Sequence, residues 1–232
     1  MGVIYITINK KLPFSLKRNK MSVVNFKTIY TNVVAEKIIE KSKFITSLEK
    51  VKTEEQAFHF FSSTRKKYFD ATHNCTAFVL NSGSMRSNDD GEPAGTAGKP
   101  MLEFLKKNEI FNIAVVVTRY FGGVKLGTGG LIRAYSACVS EAVQKAGIVE
   151  NILHYSFCVT FAYSQWKKIE NYLNLNLIYF DKPIFSENIQ IKIYVKNKHN
   201  FINNINDICN GSVIIEAQDD KFIEVLLPKQ IE

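Results

Sequence analysis

The chain has 232 residues, of which 46% are hydrophobic and 22% charged, and its formal net charge at pH 7 is +8. This length allows one large domain or two of ordinary size, and the composition is typical of a globular protein with a packed core. The longest apolar runs, such as that at 113–117, are far shorter than the roughly 20 apolar residues of a membrane span, so we predict no membrane partner.

The chain begins with a basic segment that we interpret as a disordered extension. Residues 1–20 carry five Lys or Arg and no acid, and a second methionine, Met21, follows directly. Without this segment the net charge falls to +3, with 17 basic and 13 acidic residues in 21–150. The sequence therefore supports a local basic patch in residues 21–150 but not a general polyanion-binding surface. Because the segment has no patterned apolar face, we expect it to be dispensable for folding.

Residues 21–150 predict a first domain of mixed strands and helices. Thr53 is the expected N-cap of a helix, and Gln56 completes a capping box. Pro100 suits the start of a helix, and Gly147 suits the end of one. The run at 112–118 is apolar on both faces, which predicts a central strand. The predicted elements are two or three strands over 26–51, a helix at 53–69, a strand at 75–80, a glycine-rich loop at 81–100, a helix at 101–107, a strand at 112–118 and a helix at 131–146.

Residues 151–232 predict a second, smaller domain with little glycine. Ser164 is the expected N-cap of its first helix, and Asn210-Gly211 ends its second. In the strand at 188–195, Ile189, Ile191, Ile193 and Val195 share one face. The elements are strands at 155–163, 177–180, 188–195 and 212–217, with helices at 164–174 and 200–209. Their β-α-β-β-α-β order is the ferredoxin-like arrangement, so the fold class is α+β and we place the boundary near 148–155.

The cysteines predict reduced thiols in a cytoplasmic protein. They lie far apart and form no CxxC pair, which argues against a zinc site. We predict neither a metal nor a cofactor. The four residues are Cys75, Cys138, Cys158 and Cys209.

A glycine-rich junction between a buried strand and a helix predicts an anion-binding loop. Such a junction directs backbone N–H groups at the loop, and the start of the helix adds partial positive charge. The dinucleotide pattern fails because Ile132 stands where its last glycine belongs, and no P-loop pattern is present. The alternative is that the glycines serve tight turns and close packing. They are Gly122, Gly123, Gly127, Gly129 and Gly130.

Two further segments contain candidate site residues. Asp89, Asp90 and Glu92 lie in the loop at 86–100 with Arg86 and Lys99; three acids in four positions could bind Mg²⁺, although the same residues are common turn formers. His73 and Cys75 lie two residues apart, so on a strand they would share a face. A cysteine nucleophile there would have poor geometry for proton transfer, and we favour a buried Cys with a hydrogen-bonded His.

Three segments together resemble the signature blocks of the YigZ/IMPACT family: DATHNCTAFVL, SNDDGEPAGTAGKPMLEFL and VVVTRYFGGVKLGTGGLIRAYSA. The resemblance runs from Met21 to Gly147, and the residues after it resemble the small domain of bacterial members. It implies a first domain like the second domain of ribosomal protein S five and a second like the C-terminal domain of elongation factor G. The eukaryotic relatives regulate translation under amino-acid starvation by competing for a protein that activates an initiation-factor kinase. The resemblance implies no catalytic residues.

We therefore expect the three segments to line one groove of the first domain. Cations with interleaved aromatic rings are typical of RNA-binding surfaces, so the leading hypothesis is an RNA- or ribosome-associated modulator of translation, with a translation-regulatory protein as a possible partner. The alternatives are an enzyme acting on a phosphate-bearing small molecule, marked by a deep closed pocket, and a protein-interaction module, marked by an apolar patch on the small domain. Arg119 could instead pair with Asp89 or Asp90. The candidate residues are His73, Arg86, Asp89, Asp90, Glu92, Lys99, Arg119, Tyr120, Gly122, Gly123, Lys125, Gly127, Gly129, Gly130 and Arg133, with the rings of Phe121 and Tyr135.

Overall fold

The computed structural model describes residues 25–227, which divide into two compact units. The first unit contains residues 25–151 and 224–227, and the second contains residues 152–223. The proposed extension at 1–20 lies outside the described residues. No helix among the described residues is long and apolar enough to cross a membrane. The mixture of helices and sheets confirms the α+β fold class.

The first unit is built on a five-stranded sheet in which all neighbouring strands are antiparallel. The strand order is β2-β3-β6-β4-β5. A separate short strand, β1, pairs with residues 148–151. In chain order the elements are β1 (Phe26–Ile29), β2 (Val33–Ile39), β3 (Ser42–Lys50), α1 (Glu54–Lys67), β4 (His73–Val79), β5 (Met85–Asn88), α2 (Gly98–Lys107), β6 (Ile113–Tyr120) and α3 (Gly127–Ala146).

Helices cover both faces of this sheet, and β6 lies at its centre. Val115 and Val117 belong to the core that also contains α2 and α3. Ala114 and Val116 belong to the smaller core beneath α1. All four are fully buried, which confirms that the strand is apolar on both faces. A strand with two buried faces fixes the layer order, because each face must be covered by apolar side chains.

The starts of the helices differ from the prediction in instructive ways. For α1 the Thr53 N-cap is confirmed, because the Gln56 amide donates to the Thr53 hydroxyl at 3.3 Å. The capping box is not formed as predicted, because the Gln56 side chain accepts from the Lys52 amide and not from the Thr53 amide. Pro100 is the third residue of α2 and not its first, a position where the missing N–H still has no intrahelical acceptor. Helix α3 begins at Gly127, four residues earlier than predicted. The first turn of α3 is mostly glycine, and the low helix propensity of glycine gave no sign of a helix there. The segment at 81–100, predicted as a loop, contains the short strand β5.

The second unit has the predicted β-α-β-β-α-β order with one additional short strand. Ile189, Ile191, Ile193 and Val195 are all buried in its core, as the alternation indicated. The predicted Ser164 cap is wrong, because a 3-10 turn over Tyr163–Gln165 precedes the helix. The elements are β7 (Ile148–Phe161), α4 (Trp166–Leu175), β8 (Tyr179–Phe180), β9 (Ile184–Phe185), β10 (Ile189–Val195), α5 (Lys198–Ile208) and β11 (Ile214–Leu226).

The division between the units lies within strand β7 and not in a loop. Residues 148–151 pair with β1, and residues 155–161 pair with β10. A backbone held in ladder hydrogen bonds is a poor protease substrate, because cleavage requires local unfolding. The placement of the domain boundary near 148–155 and the assignment of the domains to 21–150 and 151–232 stay predictions.

We predict that limited proteolysis of the native protein spares residues 148–161. The exposed turn around Gly83, which lies between two strands, should be cut earlier. Mass spectrometry of the early fragments identifies the sites. Early cleavage within 148–155 would show that this strand opens easily and would contradict the account.

Candidate functional site

A buried ion pair lies at the C-terminal end of strand β6 in the first unit's sheet. Arg119 is 4% exposed and Glu92 is 7% exposed. The Arg119 Nη1 atom lies 2.7 Å from Glu92 Oε1, and its Nη2 atom donates to the Ser42 hydroxyl at 3.2 Å. The guanidinium also lies over the Phe44 ring at 5.4 Å. Buried charges require this degree of pairing, because each pays a large desolvation cost.

The structure thus gives Arg119 a role that differs from both predictions. It is not exposed to a phosphate, because its charge is buried and paired inside the protein. Its partner is Glu92, and not Asp89 or Asp90. Among the described residues, its Nε atom is buried without a hydrogen-bond partner.

Tyr135 extends the buried cluster from helix α3. It is fully buried, and its hydroxyl donates to Glu92 Oε1 at 2.8 Å. The Cys75 thiol donates to the backbone carbonyl of Asp89 at 3.0 Å and contacts the Tyr135 hydroxyl at 3.3 Å. Burial raises the pKa of Cys75 to about 12 and also raises the pKa of Tyr135. Both groups are therefore protonated near neutral pH, so Cys75 is a poor nucleophile and Tyr135 is a core residue.

The two aspartates of the acidic loop serve the fold of the first unit. The Asp89 carboxylate accepts hydrogen bonds from the amides of Gly95 at 2.8 Å, Ala97 at 3.1 Å and Gly98 at 2.8 Å. It thereby caps the start of α2, whose partial positive charge favours a carboxylate. Asp90 forms an ion pair with Arg65.

The rest of this loop is tied to strand β4. The Asp90 carboxylate accepts from the Asn74 amide at 2.6 Å, and its backbone carbonyl lies 2.8 Å from His73 Nδ1. His73 Nε2 lies 3.9 Å from Glu92 Oε2, so the loop closes over the ion pair. No three His, Cys, Asp or Glu side chains within residues 25–227 are grouped to hold a metal ion.

The glycines at 122–130 have two different roles. A Cβ on Gly122 would lie 1.9 Å from the Lys41 carbonyl oxygen, so only glycine fits against that turn. Gly127 has a φ of 70° at the start of α3, a region that favours glycine. Gly129 and Gly130 lie in the first helical turn and not in a loop. Gly122 thus supports the packing alternative, whereas Gly129 is exposed and near no other backbone.

The start of α2 is capped by the Asp89 carboxylate, whereas the start of α3 has no side-chain cap. Its N-cap, Leu126, offers no side-chain acceptor, and its first turn contains no acid. Lys125 and Arg133 are exposed, and neither has a hydrogen-bond or ion-pair partner among the described residues. Arg133 Nη1 lies 3.6 Å from the position of a Cβ on Gly129, so the guanidinium leans back over the first turn. We call Lys125, Gly127–Gly130 and Arg133 the α3-start surface.

Other predicted residues do not all join this surface. Arg86 lies over the Phe58 ring of α1 at 5.6 Å, and α1 covers the sheet face opposite α3. The Tyr120 hydroxyl donates to Asp70 at 2.8 Å. Lys99 is exposed in the first turn of α2. Gly123 is exposed with a φ of 85°, and we keep it with the proposed site.

The sequence analysis did not single out Lys41 or Ser42. Lys41 lies in the turn between β2 and β3, and Ser42 is the first residue of β3. Ser42 accepts from both Arg119 and the Gly122 amide, the latter at 3.3 Å. Lys41 is exposed, and its carbonyl lies against Gly122. The only feature of the sequence that points to this contact is the pair of adjacent glycines, Gly122 and Gly123.

Comparison with known proteins agrees with the signature blocks. The family described as the Impact N-terminal domain matches residues 40–143. The IMPACT family member YvyE of Bacillus subtilis is 42% identical over 191 residues, which covers 81% of this chain and 88% of that protein. The IMPACT family member YigZ of Escherichia coli is 46% identical over 111 residues, covering 46% of this chain and 54% of that protein.

A solved structure supports the fold over most of the chain. A crystal structure described as that of a hypothetical protein aligns with a TM-score of 0.54 at 30% sequence identity. The alignment covers 84% of this chain and 98% of that chain. The family match and the two relatives confirm the resemblance predicted from the signature segments.

We predict that Glu92→Gln destabilises the protein by about 3 kcal/mol or more, because it leaves the buried Arg119 without a counter-charge. Denaturant unfolding measures the change. The matched control is Glu103→Gln, since Glu103 forms an exposed pair with Lys106 at 3.2 Å and should change stability by under about 1 kcal/mol. Equal effects of the two substitutions would contradict the role assigned to the buried pair.

Two glycine substitutions should separate the roles of the glycines. Gly122→Ala forces a methyl group into the Lys41 carbonyl and should cost at least about 2 kcal/mol of stability. Gly129→Ala meets only the Arg133 side chain and should stabilise the first turn by about 0.5 kcal/mol. Thermal unfolding of both variants tests this, and a well-tolerated Gly122→Ala would refute the packing role.

Proposed function

The chain belongs to the IMPACT family, and from this premise we propose that it is an RNA- or ribosome-associated modulator of translation. The α3-start surface binds phosphates of an RNA backbone. The observation that carries the proposal is the contrast between two helix starts of one unit. Asp89 caps the start of α2. The start of α3 has no acidic cap, and the cations beside it, Lys125 and Arg133, have no partner among the described residues.

The position of these cations supports a binding role. A helix start carries partial positive charge, so nearby cations are unfavourable for the helix itself. Arg133 leans towards that start, although acids would stabilise it better. An arrangement that weakens the free helix but suits a phosphate is expected where an anion binds.

An exposed aromatic ring precedes the surface in the chain and favours RNA over a simple anion. Phe121 is 47% exposed, and its ring lies 5.5 Å from the Arg119 guanidinium. The Phe121 amide donates to the Thr72 hydroxyl at 3.1 Å, which fixes the backbone beneath the ring. A ring held in this way is suited to stack on an unpaired base, while the cations hold the adjacent phosphates.

The contacts of the buried cluster weigh against the enzyme alternative. That hypothesis expected a buried-charge pattern around Asp89, Asp90 and Arg119 in a deep closed pocket that takes the substrate. Each is instead engaged by the protein itself, through the α2 start, Arg65 and Glu92 respectively. A substrate phosphate would have to displace these partners at a high cost.

A protein partner is the second candidate, because the second unit exposes a cluster of large apolar side chains. The rings of Tyr163 and Phe185 are 52% and 56% exposed and lie 6.3 Å apart, and Ile184 is 62% exposed. Exposed clusters of this kind mark interaction sites. A translation-regulatory protein that binds there would be lost on substitution of Phe185→Ser and kept on substitution of Arg133, which distinguishes it from RNA.

We predict that Lys125→Gln and Arg133→Gln each weaken binding to a single-stranded RNA oligonucleotide. Each should also reduce the slope of log affinity against log salt by about 1 unit, because one phosphate contact and its released counterion are lost. The measurement is a salt titration of affinity by fluorescence anisotropy. The control is Lys145→Gln, an exposed cation in the last turn of the same helix, which should leave the slope unchanged.

Thermal stability provides an independent check on the same variants. Because Arg133 opposes the helix dipole, Arg133→Gln should leave Tm unchanged or slightly higher while affinity falls. A variant that loses affinity only because it unfolds would show a lower Tm. Identical slopes in all variants, or no wild-type binding at low salt, would refute RNA binding by this surface.

A further inference from the structure

A second cleft lies on the other face of the first unit's sheet, between α1 and the strands β2 and β3. Its volume is about 340 Å³, which is within the range of small-molecule sites. Helix α1 packs on β6 and β4, so the outer face of β2 and β3 beside it stays open. The residues that line the cleft and carry the argument are Asn32, Ser47, Glu49, Phe60, Thr64 and Lys67.

Two hydroxyl groups that line this cleft form no hydrogen bond within the described part of the chain. Ser47 is 5% exposed and Thr64 is 6% exposed, and neither hydroxyl has a hydrogen bond within the described part of the chain. The neighbouring Ser63 differs, because its hydroxyl donates to the Phe60 carbonyl at 2.9 Å. Because the Ser47 and Thr64 hydroxyls lie on facing elements, β3 and α1, both are open to a ligand in the cleft.

Two opposite charges line the same cleft without pairing to each other. Glu49 comes from β3 and Lys67 from the last turn of α1. Neither forms an ion pair with any described residue, and Lys67 lies 5.0 Å from the Tyr68 ring. The Asn32 side-chain oxygen Oδ1 accepts from the Lys50 backbone amide at 2.9 Å, which leaves the side-chain nitrogen Nδ2 as a further donor. The cleft thus has an anionic wall, a cationic wall and neutral hydroxyls.

We propose that this cleft binds a small zwitterion, a molecule with an ammonium group and a carboxylate a few atoms apart. The ammonium pairs with Glu49 and the carboxylate with Lys67. The hydroxyls of Ser47 and Thr64 bond the polar atoms between them, and the Phe60 ring packs against the apolar part. This site is separate from the α3-start surface and from the proposed RNA binding.

The test uses leucine as the probe and the isotope-labelled full chain in NMR titrations. Isopentylamine keeps only the ammonium of leucine, and isocaproate keeps only the carboxylate. Leucine should shift amide signals of β3 and α1 and reach saturation. Each half-molecule should bind at least about ten-fold more weakly, because one charge-assisted contact is missing. Glucose, a neutral polyol, should not compete.

Single substitutions should remove the ammonium contact and the carboxylate contact separately. Glu49→Gln should lower leucine affinity about ten-fold and leave isocaproate unaffected. Lys67→Gln should also lower leucine affinity about ten-fold and leave isopentylamine affinity unchanged. Thr64→Val should weaken leucine binding, but leucine should still bind more tightly than isopentylamine or isocaproate. Lys66→Gln is the control, since Lys66 is exposed on the same helix outside the cleft.

Several results would overturn the proposal. They are an absence of saturable shifts with leucine, shifts centred elsewhere, equal binding of leucine and either half-molecule, or leucine binding unchanged by both Glu49→Gln and Lys67→Gln. The NMR spectrum of each variant shows that it is folded, so a loss of affinity is assigned to the cleft.

Discussion

The ion pair between Arg119 and Glu92 is the constraint on which the rest of the first unit depends. It joins the end of β6 to the loop that precedes α2, and Tyr135 extends it into α3. Ser42 adds the start of β3 and receives the Gly122 amide. A buried pair of this kind costs more to break than it contributes when intact, so it fixes the direction in which the chain leaves β6.

That fixed exit explains why the α3-start surface can stay open. The chain passes Lys41 so closely that only glycine fits at 122, and it enters α3 through residues with no acidic cap. The same unit closes the start of α2 with Asp89. The polar residues of the signature blocks therefore have two different roles. Most stabilise the fold, and a few cations remain free for a ligand.

The sequence predicted what depends on local pattern. The Thr53 cap, the two-faced strand β6 and the alternation in β10 all follow from short-range chemistry and were right. The partner of Arg119 could not be predicted, because Glu92, Asp89 and Asp90 are equivalent in sequence and only the path of the loop selects among them. The start of α3 was misplaced because its first turn is mostly glycine, whose low helix propensity is offset here by the packing of Leu131 and Tyr135 behind it. Lys41 meets the glycines only through strand pairing, which no local pattern reveals.

We propose that RNA contacts the α3-start surface. Ultraviolet crosslinking in cells, followed by mass spectrometry of the peptide–nucleotide adducts, tests it most directly, because the adduct reports both the ligand and the contact. We expect nucleotide adducts on residues 120–133, with Phe121 as a favoured site, and their loss when Lys125 and Arg133 are both replaced by Gln. An absence of adducts on the chain, or adducts confined to residues 152–223, would contradict it.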